Sequence, residues 1–330
     1  MKVLVIGGTQ FVGRHIVSAL FADGDEVTLF HRGHTNPDLF AGAEHRLGDR
    51  DVDLSALGTG AWDATIDTSA YVPRQVRSLA EALDGRGGRY VHISSVSAYA
   101  LPTGPGLTED APLAVLDDPT TEVVNGNTYG GLKALCEVAS HQWFGNSGAP
   151  VSIVRPTYVA GPYDYTGRFT WWVERVARGG RVLAPGPSDN PFQVIDARDL
   201  ADFVVLLAHG QAVGTFHAVS PTPPFSFEDF LRTVLDEVGP AGTELVWLSP
   251  EVLTDAGVSA AELPLWAARA PGRDVSAADP SRAREAGLQP RPLARTVRDV
   301  YEHELAEPTP VRGPVGLEPA REQELLGLAT

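Results

Sequence analysis

An α/β fold is predicted, with a doubly wound parallel sheet and a second, smaller, discontinuous domain, and three observations carry that prediction. Through the first half of the chain, short apolar runs alternate with segments of helical periodicity, the pattern of a parallel sheet buried on both faces by its own crossover helices. A glycine-rich turn, Gly7-Gly8-Thr9-Gln10-Phe11-Val12-Gly13, joins the first apolar run to the first helical segment. After Gly161-Pro162 the texture changes to aromatic-rich and turn-rich sequence, which marks a different unit.

The apolar runs predict strands at 3–6, 27–30, 64–66, 90–93 and 151–154, with another just before Gly48-Asp49-Arg50. Between them, Val12, Ile16 and Leu20, and further on Val76, Leu79 and Leu83, recur at the spacing that buries one helix face. An aromatic helix is expected over 169–176, followed by the turn-rich Ala184-Pro185-Gly186-Pro187, and the chain then re-enters the first domain with 192–195 and the helix after Asp199. Domain one is therefore assigned 1–160, about 192–216 and the 290–306 helix; domain two takes about 161–191 and 217–290. The Pro/Gly stretch from Pro308 to Pro319 reads as an extended linker, so 307–330 is expected as an extended C-terminal tail with a short helix near 321–328.

Composition narrows the function. With 330 residues and 43% hydrophobic content the chain can bury a real core. A formal net charge of −16 argues against nucleic acid or an anionic membrane surface, since binding either relies on basic patches; solubility is the plainer reading of the acidity. One cysteine, Cys136, excludes an internal disulfide and reads as helix packing in a reducing compartment. The run 3–6 is too short for a signal peptide's apolar segment, and cytoplasm is the expected location. His31, His34 and His45 have no ligand spacing and no Cys/His cluster beside them, so no metal site is expected. His92 reads as a satisfied buried histidine, and Asp67, Asp196 and Asp199 as strand-end or helix-start carboxylates, with an N-cap role for Asp196.

The glycine turn follows a strand and opens a helix, the context that a dinucleotide-binding turn requires. Gly7 would make the tight turn, Gly13 would let helix and strand approach, and the helix N-terminus would hold a pyrophosphate. Gln10 is the misfit, standing where a glycine normally clears the phosphates; either the backbone is spaced differently or Gly8 supplies the clearance. At the end of the second strand stands His31-Arg32 rather than the carboxylate that grips the ribose hydroxyls of NAD. A cation there suits a 2′-phosphate, which favours NADP(H) over NAD(H), the plain alternative being a solvated turn arginine. Asp49, beside Arg50, is placed either to accept from the adenine amino group or to cap the next element. Tyr129 and Lys133, four residues apart, share one helix face, so that a positive neighbour can make the phenol a usable proton donor and acceptor.

These residues together resemble the extended short-chain dehydrogenase/reductase family, the NAD-dependent epimerase/dehydratase-like group. The resemblance runs from Lys2 to about Glu304 and is carried by the glycine turn, by Ile93-Ser94-Ser95-Val96-Ser97-Ala98-Tyr99, by Tyr129 to Lys133 and by Arg155-Pro156-Thr157-Tyr158-Val159-Ala160-Gly161-Pro162. Two later segments add to it, Val194-Ile195-Asp196-Ala197-Arg198-Asp199-Leu200 and Asp279-Pro280-Ser281-Arg282-Ala283 with Gly287-Leu288. It implies a Rossmann domain on which a nicotinamide dinucleotide carries the hydride. Ser95 would hydrogen-bond the substrate oxygen, Tyr129 would exchange its proton, and Lys133 would hold the nicotinamide ribose while keeping the phenol acidic. The implied cofactor residues are Gly7, Gly8, Thr9, Gln10, Phe11, Val12, Gly13, His31, Arg32, Asp49, Arg50, Lys133, Pro156 and Thr157. Arg155 stands open between that pocket and a buried ion pair, and Ser94 reads as structural. Relatives often dimerise through helices beside the sheet, so a homodimer through the helix holding Tyr129 belongs to the same implication.

Departures from the family pattern shape the expected chemistry. Sugar dehydratases carry Asp-Glu directly after the active-site serine or threonine, and here Val96-Ser97 follows. Phe192 occupies the position where many sugar-nucleotide enzymes place a diphosphate-gripping arginine; with Phe169, Trp171 and Trp172 it points to a small, less charged substrate, the plain alternative for the tryptophans being core packing. Arg168, Arg175 and Arg178 keep a phosphate-bearing substrate open. Ser95, Tyr99, Tyr158, Phe169, Trp172 and Phe192 are the substrate-facing candidates, and the long loop 101–127 is expected to border the pocket. The expected activity is interconversion of a carbonyl and a secondary alcohol on a small molecule. An epimerase that retains its cofactor is the alternative within enzymes. An RNA-associated or regulatory module is the alternative outside them, because some relatives, including chloroplast RNA-associated proteins with a similar glycine turn, are binding modules.

Overall fold

The computed structural model describes residues 1–101, 103, 106–266 and 276–329. Positions 102, 104 and 105 of the expected pocket-bordering loop, 267–275 of the expected second domain, and 330 lie outside the described residues.

Seven parallel strands form the main sheet: β1 (Lys2–Ile6), β2 (Glu26–His31), β3 (Glu44–Leu47), β4 (Ala64–Asp67), β5 (Arg89–Ile93), β6 (Val151–Pro156) and β10 (Gly214–Ala218). Their order is β10-β6-β5-β4-β1-β2-β3. Alternation along β1 shows why both faces need covering. Val3 and Val5 point to one side, where Ile16, Val17 and Leu20 of α1 (Phe11–Ala22) and Leu200, Phe203 and Val204 of α5 (Ala197–Ala208) pack on them. Leu4 and Ile6 point to the other, against Val76, Leu79 and Leu83 of α2 (Pro73–Leu83) and Cys136 and Ala139 of α3 (Tyr129–Ser140). The chain winds outward from β1 through β2 to β3, then returns to β4 on the opposite side of β1. Strand order thus reverses between β1 and β4, and in open α/β sheets a crevice forms outside the carboxyl ends of the strands at that point.

A second core gathers around α4 (Arg168–Ala177) and the two-stranded parallel sheet of β8 (Arg181–Pro185) and β11 (Glu244–Leu248). Helices α6 (Phe227–Val238) and α7 (Pro250–Asp255) contribute Phe230, Leu231, Val234 and Leu253 to it. β7 (Tyr158–Ala160) and β9 (Val194–Asp196) pair with each other instead of extending the main sheet, and the short α8 (Ser281–Glu285) lies beside β10.

Two expectations about the C-terminal part are corrected. The helix expected in the first domain, α9 (Leu293–Ala306), puts Val297 and Val300 into the second core, because α4 and α6 offer the apolar surface its stripe needs. The segment expected as an extended tail instead folds back: α10 (Pro319–Leu326) buries Leu325 and Leu326 in that core, and its Glu322 forms a buried ion pair with Arg175. No helix among the described residues is long and apolar enough to cross a membrane.

Candidate active site

A cleft of about 790 Å³ opens at the reversal point, a size within the ~300–1,000 Å³ range of small-molecule sites. The glycine turn forms its floor. Gly7 and Gly8 adopt φ of +103° and +98°, values that only glycine takes without strain. A Cβ on Gly13 would stand 2.8 Å from the backbone nitrogen of Gly8, so α1 reaches the turn only because Gly13 has no side chain. Gly13→Ala is expected to push the helix off the turn, at a cost of about 1–3 kcal/mol by the overpacking rule, with a lowered melting temperature and weakened dinucleotide binding measured on the same sample.

Gln10 directly precedes α1 and makes no side-chain cap; its Oε1 accepts instead from Nη2 of Arg312 at 3.3 Å. Phe11, the first residue of α1, has a positive φ of 34°. Thr9 is fixed by Asn36, whose Nδ2 donates to the Thr9 carbonyl at 2.9 Å. The first turn of α1 carries no acidic side chain, and its leading N–H groups have no acceptor within the helix. This end of the cleft therefore fits an anionic diphosphate.

Toward β2 the two expected cations separate. The Nδ1 of His31 accepts from the Gly33 N–H at 3.1 Å, its Nε2 lies 2.9 Å from Nδ1 of His45, and Nε2 of His45 lies 3.1 Å from the Phe40 carbonyl. That chain needs both rings neutral, each carrying its proton on Nε2. Burial, helped by the neighbouring His45, holds the His31 imidazole below its ordinary value, so His31 is corrected from a phosphate-binding cation to part of a closed hydrogen-bond chain. Arg32 is exposed, lines the cleft and has no carboxylate partner among the described residues. Asp49 lines the cleft while accepting from the Asp51 N–H at 3.0 Å, so it caps its own turn. Arg50 is corrected as a cofactor ligand: its Nη1 and Nη2 donate to the two oxygens of the buried Asp67 at 2.7 and 2.8 Å. Burial alone would raise the Asp67 carboxyl, but the Arg50 charge and hydrogen bonds outweigh it and hold the group well below the carboxylate range.

Ser95, Tyr129 and Lys133 come together at the other end. Ser95 follows β5 and caps the short 3₁₀ turn Val96–Ala98 through the Ser97 N–H, and its hydroxyl pulls the Tyr129 phenol toward the ionised form. Lys133 is 4% exposed and its Nζ donates to the carbonyls of Ala70 and Ile93, each at 2.8 Å, so two of its three protons tie α3 to the ends of β4 and β5 and one is left for a ligand. Burial pulls the Lys133 ammonium below its ordinary value. Burial also holds the Tyr129 phenol above its ordinary value, and the opposing pulls come from the Ser95 hydroxyl and the Arg168 charge.

Pro156, Thr157 and Tyr158 border the cleft beside this trio. Phe169, Trp172 and Phe192 do not: they are 1%, 0% and 1% exposed in the second core, where Trp172 donates to the Pro264 carbonyl and Phe192 stacks on Phe230. Tyr99 is also corrected. It lies 2% exposed, its hydroxyl against Nε2 of His217 and accepting from Arg155. Arg155, left open by the sequence, pairs with Glu137, Nε to Oε1 at 2.9 Å, and Ser94 donates to the same carboxylate. His92 is fully buried with neither ring nitrogen hydrogen-bonded, against the expectation of a satisfied histidine, and burial together with the Lys133 charge pulls it down to about 3. Asp196 caps α5 as expected. Among the described residues no cluster of His, Cys, Asp or Glu is arranged to hold a metal ion.

Among the cleft residues not read from the sequence as site residues are Tyr71, Tyr165, Thr166 and Arg312. Tyr71 follows β4 at the reversal point, and the fold rule alone could have found it; its ring lies 6.4 Å from that of Tyr129 and 5.1 Å from Nζ of Lys133. For Arg312, within a Pro/Gly stretch, the sequence holds no signal.

The model of the NAD dependent epimerase/dehydratase family matches residues 3–219. A curated Arabidopsis thaliana protein, the chloroplast stem-loop binding protein of 41 kDa b, is 25% identical over 268 residues, 76% of this chain and 66% of that protein. UDP-glucose 4-epimerase of Lactobacillus helveticus is 27% identical over 159 residues, 42% of this chain and 45% of that enzyme. The matches thus span less than two-thirds of either relative. Among solved structures, UDP-glucuronic acid 4-epimerase from Bacillus cereus in complex with NAD superimposes with a TM-score of 0.68 at 18% identity, covering 94% of this chain and 100% of that one, a likeness of fold.

Proposed function

The chain belongs to the NAD dependent epimerase/dehydratase family, and from that premise we propose that it moves a hydride between a nicotinamide dinucleotide and the carbon of a carbonyl or secondary alcohol, with Ser95, Tyr129 and Lys133 as the acid–base set. The observation that carries this reading is that Ser95, Tyr129 and Lys133 line one cleft together with the glycine turn, with Lys133 one turn behind Tyr129 and two of its three protons committed to carbonyls. The dinucleotide, when bound, would supply or accept the hydride. Ser95 holds the substrate oxygen, Tyr129 gives or takes its proton, and the buried Lys133 anchors the far side. The direct test is to mix the purified protein with NAD(H) or NADP(H) and a panel of hydroxy and keto compounds and follow nicotinamide absorbance; absence of any dinucleotide binding would end this reading.

The substrate proposal changes with the structure. Its expected apolar character rested on aromatic residues that lie in the core, whereas the cleft beside Tyr129 carries Ser97, Tyr158, Tyr165, Thr166 and Arg168. Arg175 is sealed in its ion pair with Glu322, and Arg178 lies outside the cleft lining. A polar, hydroxyl-bearing substrate with an anionic group for Arg168 suits that wall. The same wall, with the family membership and the UDP-sugar 4-epimerase relatives, favours epimerisation as a second reading. Net dinucleotide consumption separates the two, since an epimerase shows none. The Arabidopsis relative, a stem-loop binding protein, supports a nucleic-acid-binding alternative; the −16 charge and the Ser95, Tyr129 and Lys133 side chains in one cleft weigh against it, and a steep loss of RNA affinity with salt would be its mark.

On cofactor choice, Arg32 without a carboxylate partner supports NADP(H), while the withdrawal of His31 and the NAD in the B. cereus structure support NAD(H). Arg32 is the testable part. Arg32→Ala is expected to weaken NADP(H) binding by about ten- to a hundred-fold, the worth of a charge-assisted hydrogen bond, and to leave NAD(H) unchanged. Equal affinities before and after, for both dinucleotides, would return the assignment to NAD(H).

A further inference from the structure

The segment joining α9 to α10 is pinned along its length. The Thr309 N–H donates to Oε2 of Glu304 at 2.9 Å, the Arg312 N–H to the Tyr165 carbonyl at 2.9 Å and the Gly316 N–H to the Ala261 carbonyl at 2.7 Å. Glycine makes the close passage possible: a Cβ on Gly316 would lie 1.8 Å from Nε1 of Trp171, and one on Gly167 would lie 2.9 Å from the Val311 methyls. This strap carries Arg312 to the cleft. Its guanidinium lies over the Tyr165 ring, 4.7 Å from the centroid, and donates to Gln10, the residue in front of α1. No carboxylate pairs with it among the described residues. An unpaired guanidinium stacked on an aromatic ring, bonded only to a neutral amide and standing before a helix N-terminus with no acidic side chain, is a site for an anion.

We propose that Arg312 binds the diphosphate of the nicotinamide dinucleotide, so that the C-terminal strap supplies the contact that Gln10 displaces from the glycine turn. This rests on the reading that the cleft holds a dinucleotide. The cofactor's diphosphate, and not one on the substrate, is the ligand because Gln10 belongs to the glycine turn, while the substrate wall has its own cation in Arg168. A strap that must let go also makes cofactor release slow, as an enzyme that keeps its cofactor through a cycle requires.

The test compares wild type, Arg312→Ala and Arg312→Lys for equilibrium binding and dissociation rate of NADH, ADP-ribose and AMP and for equilibrium binding of UDP, with thermal melts to check folding. Arg312→Ala is expected to weaken NADH and ADP-ribose alike by about ten- to a hundred-fold, to speed NADH release, and to change AMP less; Arg312→Lys, which keeps the charge without the fork, recovers part of the loss even if the alanine variant is poorly folded. Wild-type NADH affinity and release in a folded Arg312→Ala protein would overturn the proposal and leave the hydride-transfer reading standing. Weakened UDP binding with unchanged NADH binding would overturn it too, by assigning Arg312 to a substrate diphosphate. Failure of the wild type to bind any of the dinucleotide probes would remove both readings together.

Discussion

Tyr129→Phe is expected to lower turnover about 10²- to 10⁴-fold, the usual worth of a positioned general acid or base, with dinucleotide affinity unchanged. The change removes one hydroxyl and leaves the ring that packs 6.4 Å from Tyr71. It does not disturb the bonds from Lys133 to the Ala70 and Ile93 carbonyls, which is why it is a cleaner probe than any change at Lys133, where two buried carbonyls would lose their donor. Because Ser95 and Tyr129 line the same cleft and are proposed to serve the same substrate oxygen, they should act as a unit: Ser95→Ala on top of Tyr129→Phe is expected to add little, the non-additivity seen when residues share one step. The pH profile gives a second readout. Burial holds the phenol above its ordinary value, so oxidation of an alcohol, which needs phenolate as base, is expected to climb with pH through the alkaline range in the wild type. The phenylalanine variant should be flat there. Wild-type turnover in Tyr129→Phe, or an unchanged alkaline limb, would take Tyr129 out of the mechanism.

Much of the first domain was legible because its signals are local. The unbroken apolar run of β1 and the period-3.6 spacing in α1 and α2 lie within single elements, and Gly13 answers to the backbone of Gly8, five residues before it. The approach of Tyr129 to Ser95 was also within reach, since a helix following β5 must bring its first turn near that strand's end. What failed depended on partners far along the chain. Arg50 reads as a ligand after β3 until Asp67, 17 residues on, takes both its nitrogens. Tyr99 stands close behind Ser95 in sequence, yet its hydroxyl is bound by His217, 118 residues away. Phe169, Trp172 and Phe192 announce an aromatic cluster without saying whether ligand or protein fills it; the answer comes from Phe227 and Phe230 on α6. Pro/Gly composition at 308–319 correctly signals irregular backbone, but composition cannot tell a free linker from a strap whose two ends are anchored.

The anchor of that strap yields the largest expected effect on stability. Both oxygens of Glu322 accept from Nε of Arg175, at 2.9 and 2.6 Å, and Oε1 also accepts from the Leu183 N–H at 3.1 Å. Both side chains are nearly inaccessible. Glu322→Ala leaves a buried guanidinium without its counter-charge and a buried N–H without its acceptor, and is expected to lower the unfolding free energy by about 3–5 kcal/mol, the cost of breaking a buried pair from one side. The companion variant Arg175→Met/Glu322→Leu removes both charges and fills the space with apolar atoms; it should recover much of that loss, the remainder being the Leu183 N–H and the Gly179 and Arg181 carbonyls that lose their partners. Urea denaturation of the three proteins reads this difference directly, and a Glu322→Ala protein as stable as wild type would mean that α10 is not clamped to α4 and β8. The two variants should also part in binding. With α10 loosened, the segment carrying Arg312 loses its C-terminal anchor and keeps only its backbone bonds at Arg312 and Gly316 on that side, so Glu322→Ala should weaken dinucleotide affinity in the same direction as Arg312→Ala. The double variant keeps α10 seated by Leu325 and Leu326 and should bind as the wild type does. Loss of affinity that follows the seating of α10, and not the presence of the charges, would tie cofactor binding to the C-terminal segment by a route independent of any change at Arg312 itself.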